Sequence, residues 1–367
     1  MITSIVLFLY LIIINRASYL SSLVNFILIA ALLLIYKIRI TKISILFAFV
    51  SLFYLIIGIL NNNNFEYIFT DFLCFMPFVF LFVENKSFKS KFIDNEMAGL
   101  NRILPYLLIA SLGLFIYMGY DLTSTLVTRF AYNQESKLNL FAPLTPIFFI
   151  PFLLCYNKTQ YNRIFVNLGA FFILTMGFVT QTKTIFIPVI LAFILRIVFG
   201  RNAGAKVKYL LFFVTLGILA GFLLNKYMPE SFVNFTEKFN SSDGSNMDRI
   251  NESLEYLKKC NFYELILGKG FGGTKVFYGE EFIGGINMIH FGFVHLIMKG
   301  GIILLGLMYF PLFYIIVKDT LQKEYAYVSM AFVFIAMDLG HTQWISLTSM
   351  LIYWLLVYFR FYKKLKI

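Results

Sequence analysis

Apolar segments of membrane-spanning length recur from one end of this chain to the other. They lie near residues 2–14, 19–36, 43–60, 67–83, 103–120, 140–156, 164–180, 184–199, 209–225, 300–317, 325–339 and 345–361. A bilayer helix needs about 20 predominantly apolar residues. A single water-soluble core has no room for about twelve such segments. Composition agrees: 60% of the 367 residues are hydrophobic and only 14% charged, against roughly 45–50% and about 25% in soluble domains. The pattern predicts an all-α, polytopic integral membrane protein with about twelve spans.

Orientation follows from the basic residues, which concentrate in cytoplasmic loops. With the N-terminus inside, those loops carry Lys37, Arg39 and Lys42, then Lys86, Lys89, Lys91 and Arg102, then Arg196, Arg201, Lys206 and Lys208, and finally Arg360, Lys363, Lys364 and Lys366. Both termini are then cytoplasmic, and one long outer segment, about 226–299, separates spans in 1–225 from spans in 300–367. The net charge of +12 is thereby explained by topology and implies no nucleic-acid partner. Cys74, Cys155 and Cys260 form no pair within the outer segment and no metal-binding spacing. The 2–14 segment lacks a small-residue cleavage site and reads as a membrane helix rather than a signal peptide.

The outer segment is where chemistry can reside. From Asp248 to Cys260 the spacing predicts a helix with Ile250, Leu254 and Leu257 as its apolar stripe and Arg249 in its first turn. Gly268, Gly270 and Gly272 follow in a glycine-rich turn. It matches G-x-G-x-x-G in form, but it follows a helix in an outward segment, where a dinucleotide site would follow a strand. Such glycines let backbone N–H groups cradle an anion, or simply join two helices. His290 and His295 lie five apart on INMIHFGFVHLIMK, on different helical faces, which argues against a shared metal. His290 fits a general base or a packed interfacial histidine, and His341 is a weaker candidate. Two further outward cations, Arg129 and Lys183, have no part in orientation; a solvated loop cation and a snorkelling lysine are their plain alternatives. The Asn61–Asn64 run reads as an outer turn whose amides need only water. Arg129, Lys183, Arg249, the glycine turn and His290 on one side of the membrane fit a pyrophosphate or a polyanion held by charge-assisted hydrogen bonds.

This order of features resembles the O-antigen polymerase and O-antigen ligase superfamily. The residues that carry the likeness are Arg249 opening a helix, Gly268-Lys-Gly-Phe-Gly about nineteen residues later, His290-Phe-Gly-Phe-Val, and Gly301 with Gly306 at the next span. The TQTKT turn resembles the family's S/T-x-S-R-T turn with Lys183 for arginine, and Arg129 resembles an arginine of an earlier outer loop, before Asn139-Leu-Phe-Ala-Pro143. Phe291 departs from the usual Asn, and Lys299 stands where an acid is common. The resemblance implies a GT-C-like glycosyltransferase in a bacterial inner membrane, multi-pass, with short helices in its periplasmic segment. It implies substrates that are glycans on undecaprenyl pyrophosphate, membrane lipid as surroundings, and a chain-length regulator and a flippase of the same pathway as partners. No cofactor or metal is implied. His290 and Arg249 would be catalytic; Arg129, Lys183, Gly268, Gly270 and Gly272 would hold the pyrophosphate. The ligase, which moves finished glycan to lipid A core, is the nearest alternative. A flippase or other transporter is the second, disfavoured by ionisable groups that cluster at the membrane edge.

Overall fold

The computed structural model describes residues 42–81, 150–155, 163–179, 183–199, 203–227, 244–274 and 291–340, with single positions at 105, 106, 109, 289, 353, 356 and 357. The expected spans at 2–14 and 19–36, and most of 103–120 and 345–361, lie outside the described residues, as do Arg129, His290 and His341. Among the described residues every regular element is a helix. These are α1 (Lys42–Leu60), α2 (Phe65–Leu81), α3 (Ile150–Cys155), α4 (Arg163–Val179), α5 (Lys183–Phe199), α6 (Ala203–Tyr227), α7 (Gly244–Lys259), α8 (Phe262–Leu267), α9 (Gly292–Leu321) and α10 (Tyr325–Gly340). The helix bounds of α1, α2, α4, α5 and α10 follow the apolar runs within a few residues, because long apolar stretches satisfy their backbone groups internally as helix.

The chain forms two compact units. The first comprises Met1–Ser18, Ser90–Asp243 and Glu324–Val333. In it α5 packs on α3, α4 and α6, with Ile150, Leu154, Ala170, Val189 and Phe193 buried. Phe199 at the end of α5 stacks on Tyr325 at the start of α10, centroids 4.7 Å apart.

The second unit comprises Tyr19–Lys89, Gly244–Lys323 and Phe334–Ile367. Here α1 and α2 form a hairpin; the Asn64 side chain accepts from the Glu66 N–H at 2.8 Å and so caps the start of α2. The outward residues of α1, among them Leu46, Phe49, Phe53, Ile56 and Leu60, are large, apolar and exposed, as are Ile302, Ile303, Phe310, Phe313 and Val317 of α9. A helix facing water carries polar residues outward, so these surfaces call for an apolar medium. One helix, Gly292–Leu321, is long and apolar enough to cross a membrane.

That helix is broken. Gly300 (φ −146°, ψ 15°) and Gly301 (φ 64°, ψ −166°) depart from helical geometry. The break falls where the apolar run was expected to begin, and it leaves about 20 residues beyond it, enough for ~30 Å of hydrocarbon. In a straight helix residues 292 and 309 would lie about 25 Å apart. Here buried Asp338 of α10 accepts from the Tyr309 hydroxyl and lies so close to Gly292 that a methyl there would overlap its carboxylate. The two pieces of α9 therefore fold toward each other.

Candidate functional site

The glycine turn is the most constrained part of the second unit. Gly268, Gly270 and Gly272 all have positive φ, at 72°, 79° and 75°. At Gly270 the reason is contact as well as dihedral: a methyl there would overlap the backbone of Gly58 in α1. Phe271 drives the turn into place. Its side chain is fully buried, with ring centroids 5.3 Å from Phe75 and 6.1 Å from Tyr54.

The turn's polar groups are matched around that anchor. Gly268 N–H donates to Glu264 O at 2.8 Å, Lys269 N–H to Met298 O at 2.8 Å, and Phe271 N–H to Tyr54 O at 3.0 Å. The Asn63 amide donates to Lys269 O at 2.8 Å and to Phe271 O at 2.9 Å, and the Asn61 amide to Lys269 O at 3.0 Å. The Asn61–Asn64 turn therefore does more than face water: two of its amides clamp the glycine turn from roughly 200 residues away. Gly272 N–H donates to Asp71 Oδ2 at 2.7 Å. With the Gly268 and Gly272 amides engaged inside the protein, neither is directed at an anion, and close approach accounts for both glycines.

Asp71 also meets Lys299 Nζ at 2.7 Å in an ion pair that is buried on both sides. Lys299 donates in addition to Gly273 O at 2.8 Å, and the Tyr54 hydroxyl donates to Gly300 O at 2.7 Å. These contacts seal the break in α9 with protein groups. The signal was present in the sequence: an acid inside an apolar run needs a buried partner, and both Asp71 and Asp338 lie inside such runs.

Arg249 is carried by α7. The helix begins at Gly244, four residues before the expected start, so Arg249 sits in its second turn. Its inward face keeps only Leu257 of the expected stripe, packed against the core. Ile250 and Leu254 are exposed, while Ser253 and Tyr256 are buried. Tyr256 packs in one core with Ile289, Val294, Ile297 and Met298, and Cys260 lies against the same cluster. Ile289 is the residue before His290. Its N–H donates to His295 Nδ1 at 3.5 Å, which leaves the proton of a neutral His295 ring on Nε2. Because α9 starts at Gly292 with Phe291 as N-cap, His290 precedes the helix.

Burial raises the pKa of the Tyr256 hydroxyl and of the Cys260 thiol above their ordinary values, so at neutral pH both are protonated. Lys269 Nζ sits 5.6 Å from the centre of the Tyr256 ring, a cation–π contact that ties the glycine turn to α7. Arg249, the three glycines and the residues flanking His290 thus belong to one compact unit, whereas Lys183, the first residue of α5, belongs to the other. No protein-family profile, characterised protein or solved structure matches this chain.

Proposed function

We propose that this chain is an integral glycosyltransferase of the polymerase kind, multi-pass in a bacterial inner membrane, with about twelve spans and a GT-C-like arrangement. It joins repeat units of an O-antigen or capsular polysaccharide on the outer face, and undecaprenyl pyrophosphate is the leaving group. A hydroxyl of the incoming lipid-linked unit attacks the anomeric carbon of the growing chain. The bond from that carbon to the pyrophosphate breaks, and its electron pair leaves with the phosphate oxygen. His290 takes the proton of the attacking hydroxyl. The departing diphosphate needs positive charge, supplied by Arg249, whose planar guanidinium group suits bidentate phosphate contacts.

One observation carries this reading. The helix bearing Arg249 shares a core, through Tyr256, with Ile289 and Val294 on either side of the His290 segment. An arginine helix and a histidine segment that share a core are what a base and a leaving-group clamp acting on one substrate require. The exposed apolar faces of α1 and α9 support a setting in lipid, where such a substrate resides.

Arg249→Ala is expected to abolish chain extension while membrane insertion persists, read as loss of the long-chain ladder in a complemented deletion strain. Long chains of normal distribution from that variant would end the assignment. The ligase reading predicts bare core in the deletion strain, where a polymerase predicts core capped with one repeat unit. A transporter reading draws on the broken α9 and the buried Lys299–Asp71 pair, since transporters build sites at interrupted helices. Tyr54, Asp71 and the glycine turn occupy the groups at this break, which favours a structural role.

A further inference from the structure

The inward face of α7 holds an arrangement that packing alone does not explain. Ser253 Oγ and Tyr256 OH are both buried and, among the described residues, have no hydrogen-bond partner of standard geometry. The Cys260 thiol beside the phenol is at best a weak acceptor. A buried hydroxyl without a partner destabilises a fold, and Ala and Phe would fill the same space without that penalty. Two such hydroxyls three residues apart on one helical face are therefore retained against stability.

Their placement is ordered. Arg249, Ser253 and Tyr256 stand at i, i+4 and i+7, within about 60° of one another around the helix axis. Along the axis Ser253 lies ~6 Å and Tyr256 ~10 Å beyond Arg249. A diphosphate and the first sugar attached to it span a similar length. Beside this face lie exposed Ile250 and Leu254, and opposite it exposed Asn251 and Lys258.

We propose that the Arg249–Ser253–Tyr256 face of α7 is a saccharide subsite. The hydroxyls of Ser253 and Tyr256 hydrogen-bond the sugar next to the diphosphate that Arg249 grips. This inference rests on the glycosyltransferase reading above and adds to it the part of the substrate that α7 recognises. Tyr256 is protonated at neutral pH and can both donate and accept, as can Ser253, which matches the dual character of sugar hydroxyls.

The test uses the full chain, with Ser253→Ala, Tyr256→Phe, their combination and Arg249→Ala. Each variant is scored for chain extension in the complemented deletion strain. Purified protein is scored for binding of undecaprenyl pyrophosphate, which carries no sugar. The combined Ser253→Ala, Tyr256→Phe variant is expected to extend chains about tenfold more slowly, to bind undecaprenyl pyrophosphate like the parent, and to melt at the same temperature or higher. The last readout excludes damage to the fold as the cause. Unchanged extension by the combined variant, with Arg249→Ala inactive, would overturn the subsite and leave the glycosyltransferase reading intact. Full extension by Arg249→Ala would remove both. A lowered melting temperature in Tyr256→Phe would assign that hydroxyl to the fold and also overturn the subsite.

Discussion

The glycine turn at Gly268–Gly273 and the inward face of α7 lie in the same unit, are joined by the Lys269–Tyr256 contact, and treat polar groups in opposite ways. In the turn, backbone N–H groups, carbonyls and the charges of Lys299 and Asp71 find partners within the chain. On α7, the buried Ser253 hydroxyl finds none among the described residues, and the Tyr256 phenol finds only the Cys260 thiol. Burial is comparable, so burial alone does not separate architecture from recognition. Satisfaction does: a closed network holds a shape, and an open one has donors and acceptors left for a visitor.

The contrast is broken most severely at the ion pair. Lys299→Met leaves Asp71 buried and uncompensated and is expected to lower stability by about 3–5 kcal/mol, read as a collapse of the melting temperature in detergent. Adding Asp71→Leu recovers part of the loss, though the Gly272 N–H then lacks its acceptor. Gly270→Ala comes next. A left-handed φ costs an L-residue about 1–2 kcal/mol, and the overlap with Gly58 adds to that, so a reduced yield of folded protein is expected. At the smallest end, Gly306 of α9 has nothing near enough to touch an added methyl. Gly306→Ala is expected to raise helix stability by about 0.5 kcal/mol or leave it unchanged. A large loss there would mean that glycine content by itself, rather than contact, governs this region. Tyr256→Phe sharpens the comparison from the other side, because it is the one change in the series expected to impair extension without lowering the melting temperature.

Much of the helical layout was legible because long apolar runs have one low-energy solution in a membrane. The break in α9 was legible as well, at the point where Gly300-Gly301 interrupts the pattern. The glycine turn was located, with an anion cradle and a plain turn both left open. A G-x-G spacing says that something approaches closely, and at Gly270 the backbone of Gly58 in α1 does so. The inner face of α7 was read in part. Of the apolar stripe Ile250, Leu254 and Leu257, only Leu257 packs against the core, while Ser253 and Tyr256 turn inward beside it. The clamp from Asn61 and Asn63 was beyond local pattern, since it joins residues more than 200 positions apart.

That span of sequence also sets an order of events during synthesis. The Tyr54 hydroxyl and the Asn63 amide reach partners at Gly300 and Lys269, 246 and 206 residues downstream. The first hairpin consequently leaves the ribosome long before the segments that complete it. Until the last third of the polypeptide emerges, its amides and phenol rely on temporary partners, so a nascent chain cut short before Gly268 is a natural target for quality-control proteases.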